Sequence, residues 1–438
     1  MRDKALWIAL TAALVIRLAA VPAVHAIQYT SDEREYLFMA GQLLDRGMFQ
    51  DSNGDRAVRA PLYPIVLSAL LWLAGRTTIL AHVAGVLLGA AICWLTFHLA
   101  GVLGSGRREA LAGAWIAALS PGLVIYSALL QTETLYIVWF LLTLLFLYRL
   151  LHMPRPVAAA GLGVFSGLAA LTRPVFLGFL PVVAIYVLYY NRGRLREGVL
   201  VTFVALAVTA AVIAPWTLRN AAVLHAFVPV SSGGGSSLVT GNNPHARGTF
   251  DAGPGFAEWF ADQARARGVG DPATLNETDR SALGAQVALS FIGDHPGSAL
   301  ALAAKKSFIF WIYPVTHSDS YLPVQAIAVG ADALLLAAAV IGIAGNIRRN
   351  RLVGPLVAAL IVFWLVQAVM HAEARFRLPL VPILAVFGGW GVGIVADREA
   401  RRRLLSQPTF RRIALTGLVC VALIYLVTGI MFLTGSIG

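Results

Sequence analysis

Charge is what this sequence has least of. Of 438 residues only 13% are Asp, Glu, Lys or Arg, against roughly 25% in ordinary soluble domains. Hydrophobic residues make up 58% and the mean hydropathy is +0.74. That scarcity excludes a soluble globular enzyme and indicates a polytopic membrane protein. Acidic residues are scarcer still, 22 against 34 basic ones, for a net charge of +12. The basic residues stand in short clusters between apolar runs, as cytoplasmic loops do, so no nucleic-acid partner is expected. Cysteine is nearly absent: Cys93 and Cys420 both lie inside apolar runs, which excludes a disulfide framework or a thiolate metal site. No convincing small-residue cleavage signal follows the first apolar run, which is expected to stay as an anchor. Nor is an internal repeat visible, which argues against a transporter built from inverted halves.

Long apolar runs, by contrast, are abundant. A crossing helix needs about 20 apolar residues. The first run, residues 5–26, follows Arg2 and Lys4, which places the N-terminus on the cytoplasmic side. Residues 35–47 carry Tyr36, Met39, Leu43 and Leu44 at helical spacing and read as an amphipathic helix on the membrane surface. The run 61–75 is short for a crossing and is expected to be re-entrant or interfacial. Crossings then fall at 80–103, 110–129, 135–151, 157–172, 175–190 and 200–216. A long polar stretch, 219–294, is expected to be a functional or disordered loop. Residues 297–314 carry Lys305 and Lys306 at their centre, costly at mid-bilayer, and read as a surface helix. Further crossings fall at 325–346, 353–370, 378–396 and 413–433. The expected fold is an all-α polytopic bundle of about eleven transmembrane helices, N-terminus in and C-terminus out. Its parts are an N-terminal core (1–218, with a first external loop at 27–79), an external loop with surface helices (219–324) and C-terminal transmembrane helices (325–438). Every arginine cluster except that at Arg375 and Arg377 then falls inside.

This topology gathers residues from distant parts of the chain at the outer rim. Asp32, Glu33 and Glu35 put three carboxylates in four residues just after the first span. Charges beside hydrocarbon cost several kcal/mol unless they have a function or water. Glu133 heads a crossing. Arg59, Arg173, Arg219, Arg375 and Arg377 join them, with His317, Asp319, Tyr321, His371 and Glu373 nearby in topology. Carboxylates beside guanidinium groups suit transfer from a phosphate-linked substrate. A carboxylate takes the proton of a hydroxyl nucleophile, while arginine forks bind phosphate and stabilise its charge as it leaves.

Seven short motifs in order carry a family resemblance. They are Ser31-Asp32-Glu33 with Tyr36, Arg59-x-Pro61-x-Tyr63-Pro64, Gln131-Thr132-Glu133, Leu171-Thr172-Arg173-Pro174, Pro215-Trp216-x-x-Arg219-Asn220, Gly241-Asn242-Asn243-Pro244 and Glu373-Ala374-Arg375-Phe376-Arg377-Leu378-Pro379. The chain resembles, over residues 5–396, the integral-membrane glycosyltransferases of the GT-C fold that use polyprenyl-phosphate sugars. Protein O-mannosyltransferases and aminoarabinose–lipid A transferases are examples. The resemblance implies a helical bundle with juxtamembrane helices in the first external loop, no cofactor, and an inverting sugar transfer on the outer, periplasmic side of the inner membrane. It implies Asp32 as base, with Glu33 able to share that role and Glu133 as a second acidic residue. From the residues themselves we expect the lipid phosphate at Arg59, Arg173, Arg375 and Arg377, and sugar or acceptor at Tyr36, Tyr63, Asn220, Asn242 and Asn243. The partners are then a polyprenyl-phosphate sugar donor, membrane lipids, and a glycan, lipid or protein acceptor. Two departures stand out. The aminoarabinose transferases carry lysine where this chain has Arg173, Arg375 and Arg377, and their soluble C-terminal domain has no counterpart here.

Plainer readings compete at several positions. Arg17, inside the first span, pairs with an acidic residue or snorkels outward. Gly233 to Gly235 suit a phosphate nest or a flexible connector. Asn242 and Asn243 suit sugar hydroxyls or a turn. His317 with Asp319, and His371 with Glu373, are spacings too common to indicate a metal, and none is expected. The rival class is a lipid-linked sugar flippase or transporter. Such proteins usually place charges at the midplane, whereas these gather at the rim. A non-catalytic assembly scaffold is a third reading.

Overall fold

The computed structural model describes residues 4–25, 30–312, 322–347 and 350–433. His317, Asp319 and Tyr321, and the orienting Arg2, Arg348 and Arg349, lie outside the described residues. Helices are the only regular elements among those described. The first half of the chain holds α1 (Lys4–His25), α2 (Ser31–Arg46), α3 (Leu62–Leu73), α4 (Ile79–Val102), α5 (Arg107–Leu119), α6 (Pro121–Ala128), α7 (Glu133–His152), α8 (Pro156–Thr172), α9 (Leu180–Tyr190) and α10 (Leu195–Leu224). The second half holds α11 (Gly234–Gly241), α12 (Phe256–Ala266), α13 (Glu277–Asp294), α14 (Pro296–Ile312), α15 (Leu322–Asn346), α16 (Val353–Val369), α17 (Val381–Ala396), α18 (Arg398–Leu405) and α19 (Pro408–Leu433).

Seven described helices are long and apolar enough to cross a membrane, or eight when the bent pair α5–α6 is one span. The expected crossings at 157–172, 175–190 and 353–370 fall on shorter apolar helices. α3 is the shortest of that class. Its 12 residues reach about 18 Å at 1.5 Å per residue, well below the about 30 Å of a hydrocarbon core. It packs instead against α2 through Tyr36, Ala40, Leu67 and Leu71, over Ala81 of α4 and Leu130.

Several boundaries differ from the sequence expectation, each for a local reason. α2 starts at Ser31, ahead of residue 35, because Thr30 and Glu33 form a reciprocal capping box that satisfies two otherwise unpaired backbone N–H groups. The acidic cluster therefore forms the first turn of a helix. The expected single run 110–129 is broken at Ser120-Pro121, with a bend of 53°. Proline supplies no N–H there and starts α6. The broken end of α5 is capped by Arg17, fully buried, whose guanidinium donates to Ala117 O at 3.2 Å and Ala118 O at 3.1 Å. A cation at a helix C-terminus satisfies carbonyls that lack partners, so Arg17 neither pairs with a carboxylate nor snorkels.

The polar stretch 219–294 is ordered. α11, α12 and α13 share a small core of Val239, Ala264, Leu283, Val287 and Ala288. Gly235 stands where any Cβ would lie 1.8 Å from Ser281 O, so the glycine run opens α11 and lets it lie directly on α13. The two lysines of α14 diverge. Lys306 is fully buried, and its ammonium donates to Asn242 Oδ1 at 2.9 Å and Val369 O at 3.1 Å. Protein groups, not headgroup water, solvate it.

α17 is the most deeply packed span. Glycines let its neighbours approach: a Cβ on Gly391 would lie 2.0 Å from Ala338 O of α15, and one on Gly389 2.3 Å from Glu109 O of α5. Small residues at such crossings are how membrane helices pack closely. The segment that precedes α17, the 3₁₀ turn Ala374–Leu380, carries Arg375 and Arg377 and so leads directly into the most deeply packed span.

Candidate active site

Five segments bring charge to one place: the first turn of α2, the loop that carries Arg59, the start of α7, the end of α8 and the 3₁₀ turn before α17. Asp32 is at the second position of α2, where the helix dipole favours a carboxylate. Its Oδ1 accepts from Arg59 Nη2 at 2.8 Å and its Oδ2 from Arg375 Nη1 at 2.5 Å. Burial alone would raise the Asp32 pKa; the guanidinium groups of Arg375 and Arg59 outweigh it and hold the pKa at about 2. The carboxylate is fully ionised at neutral pH.

Glu133, the first residue of α7 and almost fully buried, accepts from Arg173 Nη1 at 2.9 Å. Arg375 links the two pairs: its Nε lies 2.5 Å from Glu373 and 3.9 Å from Glu133. Gln131 Oε1 accepts from Arg375 at 3.2 Å while Gln131 Nε2 donates to Thr30 Oγ1 at 2.8 Å. The guanidinium of Arg173, which sits where α8 ends, also lies 4.9 Å from the centre of the Phe376 ring. Residues 32, 59, 133, 173, 373 and 375 thus make one network of alternating charge, assembled from five parts of the chain. Tyr36 and Tyr63 flank it edge to face at 5.1 Å, with Arg59 5.6 Å from the Tyr36 ring centre.

The loop that presents Arg59 is held from outside. Glu277, at the start of α13, accepts from Ala57 N at 3.0 Å, and Ser232 N donates to Ala57 O at 2.8 Å. Arg280 pairs with Asp55. Arg219 donates to Arg56 O at 2.8 Å and Phe49 O at 3.2 Å, its guanidinium lying over Trp216 at 4.6 Å. α10, α13 and the segment before α11 therefore form a frame around the site's arginine.

Other expected site residues are placed differently. Glu33 is buried beside Asp32, but its carboxylate accepts from two backbone amides, Thr30 N at 2.9 Å and Leu130 N at 2.8 Å. It clamps α2 to the turn before α7. Arg377 is buried, pairs with Asp332 of α15 and donates to Phe310 O at 3.1 Å. Asn220 donates to Val228 O at 3.0 Å and accepts from Arg219 at 3.1 Å. Asn242 donates to Val369 O at 2.7 Å and accepts from Lys306. Asn243 donates to Val239 O at 2.9 Å and accepts from His245 N at 2.8 Å. These four side chains are engaged within the fold. His371 lies beside the Phe250 and Phe376 rings. Among the described residues no three His, Cys, Asp or Glu gather as metal ligands.

Sequence reading passed over Glu277, Arg280 and Asp332. The first two follow Asn276, which caps α13, a helix-start signal legible in Asn-Glu-Thr-Asp. Asp332 is a lone carboxylate in an apolar run, a signal in its own right.

A small apolar cleft lies between α3 and α4, lined by Tyr63, Leu67, Leu70, Ala84, Leu88 and Gln131.

Residues 58–218 match the family described as dolichyl-phosphate-mannose-protein mannosyltransferase. No curated protein matches the chain. Among solved structures, the chain is similar to the archaeal oligosaccharyltransferase AglB from Archaeoglobus fulgidus in complex with an inhibitory peptide and a dolichol-phosphate. The TM-score is 0.57 at 13% identity, over 97% of this chain and 54% of that one; for the apo form the TM-score is 0.58. The chain thus spans about half the length of the oligosaccharyltransferase it matches. ArnT from Cupriavidus metallidurans bound to undecaprenyl phosphate also matches, with a TM-score of 0.43 at 16% identity, over 89% of this chain and 78% of that one. The expected resemblance to GT-C membrane glycosyltransferases therefore holds, in fold over nearly the whole chain and in sequence over residues 58–218.

Proposed function

We propose, from the shared GT-C fold and the charged network at its rim, that this chain is a membrane glycosyltransferase. It moves one hexosyl or pentosyl unit from a polyprenyl-phosphate donor to a glycan, lipid or protein hydroxyl. Asp32 takes the acceptor proton as a new bond forms between the acceptor oxygen and the anomeric carbon. The bond from that carbon to the phosphate oxygen breaks, and its electron pair leaves with the phosphate. Arg59, Arg173 and Arg375 stabilise that departing charge. A single displacement with no protein nucleophile inverts the anomeric centre. Glu133 holds Arg173 and Arg375 in place, and Tyr36 and Tyr63 form the wall for the sugar or acceptor. Arg377, Glu33, Asn220, Asn242 and Asn243 support this framework without touching substrate.

The observation that carries this reading is the meeting of Arg59 and Arg375, remote in sequence, on the two oxygens of Asp32. Counting α5–α6 as one span and adding three shorter apolar helices is consistent with eleven crossings, and on the positive-inside reading of the loops the network faces the periplasmic side of the inner membrane. Nucleotide sugars are confined to the cytoplasm, so a site facing outward requires a lipid-borne donor. The test is sugar transfer by purified protein in detergent, with a polyprenyl-phosphate sugar and envelope acceptors. An enzyme works without two compartments; a protein that only moves lipid across a bilayer gives no product.

A further inference from the structure

The network is balanced before any substrate enters. Asp32, Glu133 and Glu373 face Arg59, Arg173 and Arg375. Both oxygens of Asp32 already accept a charge-assisted hydrogen bond, one from each of two arginines. Such bonds are roughly twice as strong as neutral ones. An incoming phosphate draws on the same three guanidinium groups, the Nη1 of Arg375 that Asp32 engages among them. Arg375 divides its contacts: Nη1 donates to Asp32, while the Glu373 carboxylate lies 2.5 Å from Nε as a charge partner without a hydrogen bond.

We infer that Arg375 is an exchange residue, in which the donor's phosphate takes the N–H that Asp32 holds in the free protein while Glu373 stays beside the guanidinium as its charge partner. Donor binding then uncovers the base. The inference rests on the proposed roles of Asp32 and the arginines. It explains why a carboxylate clamped from both sides, held far below the usual range by Arg375 and Arg59, can serve as a base at all. Once a phosphate neutralises those arginines, the Asp32 oxygens recover proton affinity. Until the donor is seated, the base is masked.

The experiment is direct binding of a short polyprenyl monophosphate, at one fixed pH, to full-length protein in detergent. The variants are Asp32→Asn, Asp32→Ser and, as a charge control, Asp45→Asn. Asp45 lies on the same helix but pairs with Arg76, far more exposed. If carboxylate and phosphate compete, removing the carboxylate tightens binding by about tenfold or more, the scale of one charged hydrogen bond, and Asp45→Asn changes nothing. Two Asp32 substitutions are used so that one misfolded variant does not decide the matter. Unchanged or weaker binding in a folded Asp32 variant overturns the exchange, and so does equal tightening in Asp45→Asn, which would reflect net charge alone. Turnover separates the two layers. An inactive Asp32 variant with unchanged affinity defeats the exchange but leaves the base assignment standing. An active one defeats the base assignment.

Discussion

The Arg375 guanidinium lies 2.5 Å from Asp32 on one edge and 2.5 Å from Glu373 on the other. Its Nη1 donates to both Asp32 and Gln131 in directions fixed by the planar guanidinium, which a lysine ammonium does not reproduce. Arg375→Lys keeps the charge and loses the fork. We expect turnover to fall by about 100-fold or more, the effect of removing a charge-stabilising donor, with the melting temperature shifted little by comparison. Steady-state kinetics beside thermal unfolding checks this, and near-normal turnover would show that charge alone suffices.

Glu33 and Asp32 are neighbours in sequence with different tasks. Glu33→Gln loses one of two bonds to backbone amides, Thr30 N or Leu130 N. A loss of about 1–2 kcal/mol of stability is expected, the scale of a helix cap, with transfer reduced far less than in Asp32→Asn. The opposite order, with Glu33→Gln stable and inactive, would make Glu33 the base.

Asp32 also links stability to acidity. Its folded pKa of about 2 lies below the ordinary 3.8, so it contributes stability above pH 3.8 that is lost as pH falls towards 2. The full contribution is about 2 kcal/mol. Unfolding of wild type and Asp32→Asn, followed from pH 6 downwards, gives curves that converge only at the acid end. A gap constant with pH would mean that the arginines do not hold the carboxylate as described.

The buried pair Arg377–Asp332 joins the arginine-bearing turn to α15. Removing one partner strands a buried charge and costs about 3–5 kcal/mol. Replacing both by apolar residues of similar size is expected to cost much less. Thermal unfolding of Arg377→Met, Asp332→Leu and the double variant tests this. Additive losses would place the two side chains in separate environments.

The spans were legible because apolar length and arginine clusters are one-dimensional signals. The rim residues were legible where an ionisable group interrupts an apolar run, as at Glu133 and Arg173. What sequence could not supply was direction. Arg375 and Arg377 are two residues apart in a 3₁₀ turn, yet one faces Asp32 and the other Asp332. Asn242 looked like a sugar ligand and is the acceptor of a buried lysine from 64 positions away. The glycines at 233–235 gave no helical pattern, and the value of Gly235 lies in the missing Cβ against Ser281, which only a neighbouring helix reveals. The frame that α13 builds around the loop of Arg59 is likewise a long-range fact, carried by Glu277 and Arg280.

The most direct test of the central claim is the rate of sugar transfer by Asp32→Asn in detergent, measured with a polyprenyl-phosphate sugar at saturating donor. Loss of the base is expected to lower turnover by about 100- to 10,000-fold while the protein stays folded and still binds lipid phosphate. Turnover within about twofold of wild type, far outside that range, would contradict it.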